Sequence, residues 1–116
     1  MIYVLEDDDG IRELFQVILE DCGYEVELFS SVETFKKRIQ VATPDLVIMD
    51  IWLPDGDGRS VCSELRKQAS TAQLPILMMT AQYGIRKIDG ASDFIPKPFD
   101  VSDLMDRVEK LLSIQI

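Results

Sequence analysis

Glu6 and Asp7 follow the apolar run Ile2-Tyr3-Val4-Leu5, Asp50 follows Leu46-Val47-Ile48-Met49, Thr80 follows Ile76-Leu77-Met78-Met79, and Lys97 follows Phe94-Ile95-Pro96. Three carboxylates, a hydroxyl and an ammonium thus each stand where a short parallel strand would end. Ligands of open α/β sheets bind outside the carboxyl ends of the strands, so a doubly wound fold brings all five residues to one edge. Mg2+ takes hard oxygen ligands, typically one or two carboxylates with waters and phosphate oxygens. Glu6, Asp7 and Asp50 supply such a set. Phosphoryl transfer is mostly positioning and charge compensation, and here it needs no general base. Lys97 offers a positive charge and Thr80 a hydroxyl donor for phosphoryl oxygens, which leaves Asp50 as the acceptor.

A plainer reading exists for each residue alone. Asp50 would cap a turn, and Glu6-Asp7-Asp8-Asp9 would complement the positive end of a helix. A helix start needs one or two acids, yet four occur, and two of them precede the helix. The wider charge pattern agrees. Glu6 to Asp9 with Asp50, Asp55 and Asp57 hold seven of the 21 carboxylates, a crowding that calls for a compensating cation.

Composition narrows the alternatives. With 116 residues the chain is expected to form one domain over residues 1–116. A net charge of −9, with Lys36-Lys37-Arg38 as the only basic cluster, argues against direct nucleic-acid binding by this domain. The absence of histidine removes the usual zinc ligand and the commonest general base. Apolar runs of four or five residues do not span a bilayer, and the N-terminus has no signal-peptide pattern, so no membrane association and a cytoplasmic location are expected. Cys22 and Cys62 match no metal spacing and are expected to be reduced, buried thiols.

The elements that must hold the site alternate between β-rich runs and helical periods, the pattern of a parallel sheet with helices on both faces. Strands are predicted over 2–5, 25–29, 46–49, 76–79 and 93–95. A helix is predicted from Asp9 to Asp21, with Ile11, Leu14, Phe15, Ile18 and Leu19 on one stripe and Gly23 as its stop. Ser30 and Glu33 form a capping-box pattern for a helix to Val41. Leu53 to Gly58 is loop chemistry. A helix through Val61, Cys62 and Leu65 follows, and Asp100 caps a last one carrying Leu104, Met105, Val108, Leu111 and Leu112. In all, five strands and five helices are expected.

In this order the segments resemble the receiver domains of two-component response regulators. Leu5-Glu6-Asp7-Asp8 with Ile11-Arg12-Glu13-Leu14 is similar to that family's acidic-pair segment, and Val47 through Gly58 to its phosphoacceptor loop. Met79-Thr80-Ala81 resembles the switch-hydroxyl segment and Gly90 through Phe99 the lysine segment. The resemblance implies a flavodoxin-like five-stranded parallel sheet of order 2-1-3-4-5. It implies Asp50 as phosphoacceptor, Asp7 as Mg2+ ligand assisted by Glu6, and a backbone carbonyl of Trp52 on the same metal. Thr80 and Lys97 would bind the phosphoryl group, and Thr80 and Phe94 would form the switch. It further implies a cis Lys97–Pro98 bond, a histidine kinase or histidine phosphotransfer protein as donor, and a phosphorylation switch that acts as an enzyme only on its own phosphorylation and dephosphorylation.

Other readings are weaker. Asp55, Asp57, Gly58 and Glu64 fall at EF-hand positions, but Leu53 occupies the first ligand position and a strand precedes it. The rival enzyme class, a Mg2+-dependent phosphatase-like hydrolase of small phosphoesters, would want a second aspartate where Trp52 stands. A nucleotide-binding module would want a glycine-rich loop after the first strand. The resemblance departs between Thr80 and Gly90. Ala81 to Asp89 is shorter than the family's helix-bearing segment and carries Gly84, so the fourth helix is expected to be shortened or irregular.

Overall fold

Seven strands and four helices order the described residues, 1–81 and 88–113, of the computed structural model: β1 (Ile2–Leu5), α1 (Asp9–Asp21), β2 (Val26–Phe29), α2 (Val32–Val41), β3 (Leu46–Asp50), β4 (Trp52–Leu53), β5 (Gly56–Asp57), α3 (Gly58–Arg66), β6 (Ile76–Thr80), β7 (Asp93–Pro96) and α4 (Val101–Ser113). The main sheet is parallel throughout, in the order β2-β1-β3-β6-β7. With the short β4–β5 ribbon set aside, this is the expected 2-1-3-4-5 order. The expected fourth helix falls largely on residues 82–87, outside the described residues.

Alternation along the strands divides the core into two layers. Tyr3, Leu5, Val47, Met49, Ile76 and Met78 face α2 and α3, meeting Phe35, Ile39, Val61 and Leu65. Ile2, Val4, Leu46, Ile48, Leu77 and Met79 face α1 and α4, meeting Phe15, Leu19, Leu104 and Val108. The strand interior is apolar on both faces because both faces are covered. No helix among the described residues is long and apolar enough to cross a membrane.

Helix ends follow local chemistry. Asp8 caps α1 by accepting the Ile11 N–H at 2.9 Å. At its other end Gly23, at φ +90°, lets its own N–H reach Glu20 O and the Tyr24 N–H reach Leu19 O, closing a Schellman turn. Cys22 is the C-cap there and is exposed, contrary to expectation, because the last turn of α1 faces solvent; Cys62 is buried, and both thiols are free.

Two expectations are corrected. The N-cap of α2 is Ser31 rather than Ser30, its Oγ accepting the Thr34 N–H at 3.3 Å. That one-residue shift puts Val32, Phe35 and Ile39 on the buried stripe. The Leu53–Gly58 stretch is not plain loop: β4 and β5 pair antiparallel, with Trp52 opposite Asp57. Asp55 at the ribbon's tip caps the first two amides of α2 from outside the helix. Its carboxylate accepts the N–H groups of Val32 at 2.8 Å and Glu33 at 3.1 Å.

Those two backbone donors hold the Asp55 carboxyl below its ordinary range. A depressed carboxylate stabilises the fold above its unfolded pKa, and that contribution is lost as pH falls through the folded value. Asp55→Ala is therefore expected to melt below wild type at neutral pH. The gap should narrow as pH drops past 3.8, the ordinary value. A gap of constant size across that range would place the effect elsewhere than in the carboxylate.

Candidate functional site

Register decides which residues meet at the sheet's carboxyl edge. Leu5 pairs with Met49, so Glu6 and Asp50 leave their strands at the same level. Asp50 pairs with Met79, and Thr80 with Pro96, so Thr80 and then Lys97 lie successively one residue further out. The Lys97 N–H donates to Thr80 O at 2.7 Å, fixing the start of its side chain. From there the four-carbon stem reaches back across the edge.

Its ammonium lands between two carboxylates. Lys97 Nζ lies 2.6 Å from Glu6 Oε1 and 2.7 Å from Asp50 Oδ2. Glu6 is fully buried, Asp50 is nearly so, and Asp7 beside them is exposed. Ligand oxygens of Glu6, Asp7 and Asp50 all lie within 4.8 Å of one another. Burial pushes the Glu6 acid up to about 7, and the neighbouring Asp50 charge adds to this, against the opposing pull of Lys97. For Lys97, burial alone would lower the pKa, but its hydrogen bonds to Asp50 and Glu6 prevail and raise it.

The other predicted site residues are placed as follows. The backbone N–H of Trp52 points to Asp50 Oδ1 at 3.3 Å, while the residue is exposed and its indole lies 5.2 Å beneath the Arg59 guanidinium. Thr80 is buried at the end of β6. Phe94 lies in β7, half-buried against the α2–α3 side of the core with Leu53 and Ala91 rather than among the carboxylates. The Lys97–Pro98 bond is cis.

Two supporting residues escape a reading of the sequence. A Cβ on Gly58 would stand 2.2 Å from Asp50 O, so only glycine lets the start of α3 pack on the backbone of Asp50. Nothing in the local sequence signals that approach. Arg12 in α1 donates from one nitrogen, Nη1, to both Glu6 O and Asp7 O, each at 2.9 Å. Its signal is faint but real: a cation so near a helix N-terminus opposes the macrodipole.

The four consecutive acids divide their work. Glu6 and Asp7 join the cluster, Asp8 caps the helix, and Asp9 pairs with Arg12. The donor set of the cluster is all oxygen and carries more negative charge than Lys97 balances, which fits a hard divalent cation such as Mg2+. A shallow, mostly apolar hollow of about 370 Å3 borders Lys97, lined by Ile11, Leu14, Ala81, Pro98 and Phe99. A larger hollow of about 440 Å3 lies on the α3 side and is lined by none of the clustered carboxylates.

A family model described as the response regulator receiver domain matches residues 2–109. The chain is 39% identical to the DNA-binding dual master transcriptional regulator RpaA of Synechocystis sp., covering 96% of this chain and 48% of that protein. A crystal structure of a response regulator from Chloroflexus aurantiacus matches with a TM-score of 0.90 at 38% identity, covering 97% of this chain and 96% of the other. The response regulator TrrA from Thermotoga maritima, solved in complex with Mg2+-BeF, matches with a TM-score of 0.86 at 32% identity over 95% and 96% of the two chains. The chain spans about half the length of the curated relatives it matches.

The raised Glu6 acid has a measurable consequence. A carboxyl whose folded pKa exceeds its unfolded one stabilises the fold fully below the unfolded value and loses that contribution as pH rises through the folded one. Here the window runs from pH 4.5 to about 7. Without divalent cations, the melting temperature of the wild type should therefore fall across that window relative to Glu6→Gln, which keeps an acceptor for Lys97 but cannot ionise. Parallel melting profiles of the two proteins would contradict the assignment.

Proposed function

Because the chain belongs to the family of response regulator receiver domains, we propose that Asp50 is its phosphoacceptor and that residues 1–116 act as one phosphorylation switch. The observation that carries this reading is the Lys97 ammonium held between buried Glu6 and Asp50 at the sheet edge. An Asp50 carboxylate oxygen attacks the phosphorus of a phosphohistidine on a histidine kinase or histidine phosphotransfer protein. The P–N bond breaks, its electron pair returns to the imidazole, and an aspartyl phosphate remains. Lys97 turns its charge to the phosphoryl oxygens, and Thr80 donates its hydroxyl to one of them.

Glu6, Asp7 and Asp50, with the backbone carbonyl of Trp52, are the residues that would hold Mg2+, whose charge neutralises the phosphoryl oxygens. The chain acts on its own acyl phosphate, formed and later hydrolysed, and on no outside substrate. The added charge of a phosphoryl group biases a two-state surface, in which Thr80 and Phe94 are the moving parts. The cytoplasm is the compartment where donor and receiver meet.

Incubation with Mg2+ and a small phosphodonor, followed by intact-mass measurement, should show one added phosphoryl group, and Asp50→Asn should show none. Persistence of the adduct in that variant would sink the assignment. Continuous turnover of a generic phosphomonoester would instead mark the hydrolase reading.

A further inference from the structure

We infer that Arg12 is a positioning residue for the divalent-cation site, an assignment that rests on the metal reading above and goes beyond it. Asp7 is exposed, so packing does not fix where its carboxylate points. Its backbone carbonyl is held instead, by the Arg12 side chain. Arg12 Nη1 donates at 2.9 Å to the carbonyls of both Glu6 and Asp7. The second nitrogen, Nη2, is engaged by Asp9, so the planar fork is locked at both tips. The Arg12 N–H donates in turn to Asp8 O at 3.0 Å, and Asp8 caps the helix from which Arg12 projects. The turn from β1 into α1 is thereby closed on itself, and its two inner residues are those that share the carboxylate cluster with Asp50.

Charge and position predict opposite signs for this residue. A guanidinium close to a cation site repels the cation, so loss of its charge alone should tighten binding. Loss of the double carbonyl anchor should loosen it, because groups that orient metal ligands typically contribute about tenfold or more to affinity. The positioning role requires that the second effect win.

The test is a Mg2+ titration of the whole chain, followed through the amide chemical shifts of residues 5–9 and 50–52. The remaining shifts report whether each variant stays folded. Arg12→Met, neutral and of similar length, should bind Mg2+ roughly tenfold more weakly than wild type. Arg12→Lys, which keeps the repelling charge but loses the fork, should also bind Mg2+ more weakly than wild type. Equal or tighter Mg2+ binding by Arg12→Met overturns the assignment. Should that variant fail to fold, unchanged affinity in Arg12→Lys overturns it as well. Wild-type protein without any Mg2+-dependent shifts would overturn the metal reading itself, and the role of Arg12 with it.

Discussion

Taking a carboxylate as deeply buried as Glu6 out of water is costly unless a cation stays with it, and Lys97 is the cation that does so. The same ammonium holds Asp50. One residue near the end of the chain therefore joins the ends of β1 and β3, 91 and 47 positions away in sequence. Burial raises the Glu6 acid and the nearby Asp50 charge adds to it, while the two carboxylates together raise the Lys97 ammonium against the cost of its own burial. The site is short of positive charge by construction. An arriving divalent cation and a phosphoryl group bring in charge of each sign, so this pairing is suited to rearrangement as well as to rigidity.

The sheet makes that meeting possible. Glu6 and Asp50 emerge level, while Thr80 and Lys97 emerge successively further out, so a long flexible stem is needed on the last strand and short carboxylates on the first ones. Around them backbone and side chains are both braced. Gly58 packs against Asp50 O, the Trp52 N–H faces Asp50 Oδ1, and Arg12 ties down the carbonyls of Glu6 and Asp7. Asp55 carries the ribbon after Asp50 onto the start of α2. The loops that present the site are thus anchored to three helix N-termini, those of α1, α2 and α3.

Much of this was legible in the residues. Apolar runs such as Leu46-Val47-Ile48-Met49 located the strands, and the acids and lysine that follow them are the side chains that cluster at the sheet edge, because strand ends are set by short-range pattern. Helix α1 runs from Asp9 to Asp21 as its period and Gly23 predict. What escaped depends on distant partners. Ser31 rather than Ser30 caps α2, and Asp55, 22 and 23 positions away, supplies acceptors for the Glu33 and Val32 amides. The demand for glycine at 58 exists only once α3 packs on Asp50. The residues between Gln82 and Lys87, expected to carry a curtailed helix, lie outside the described residues.

A crystal structure of this protein grown with Mg2+ and beryllofluoride, the combination bound by its Thermotoga maritima relative, tests the account most directly. The beryllofluoride should be attached to an oxygen of Asp50, with Lys97 and Thr80 donating to its fluorides and Mg2+ held among Glu6, Asp7 and Asp50. Beryllofluoride on any other carboxylate, or a Lys97 ammonium still bound to both Glu6 and Asp50 beside an unmodified Asp50, would contradict it.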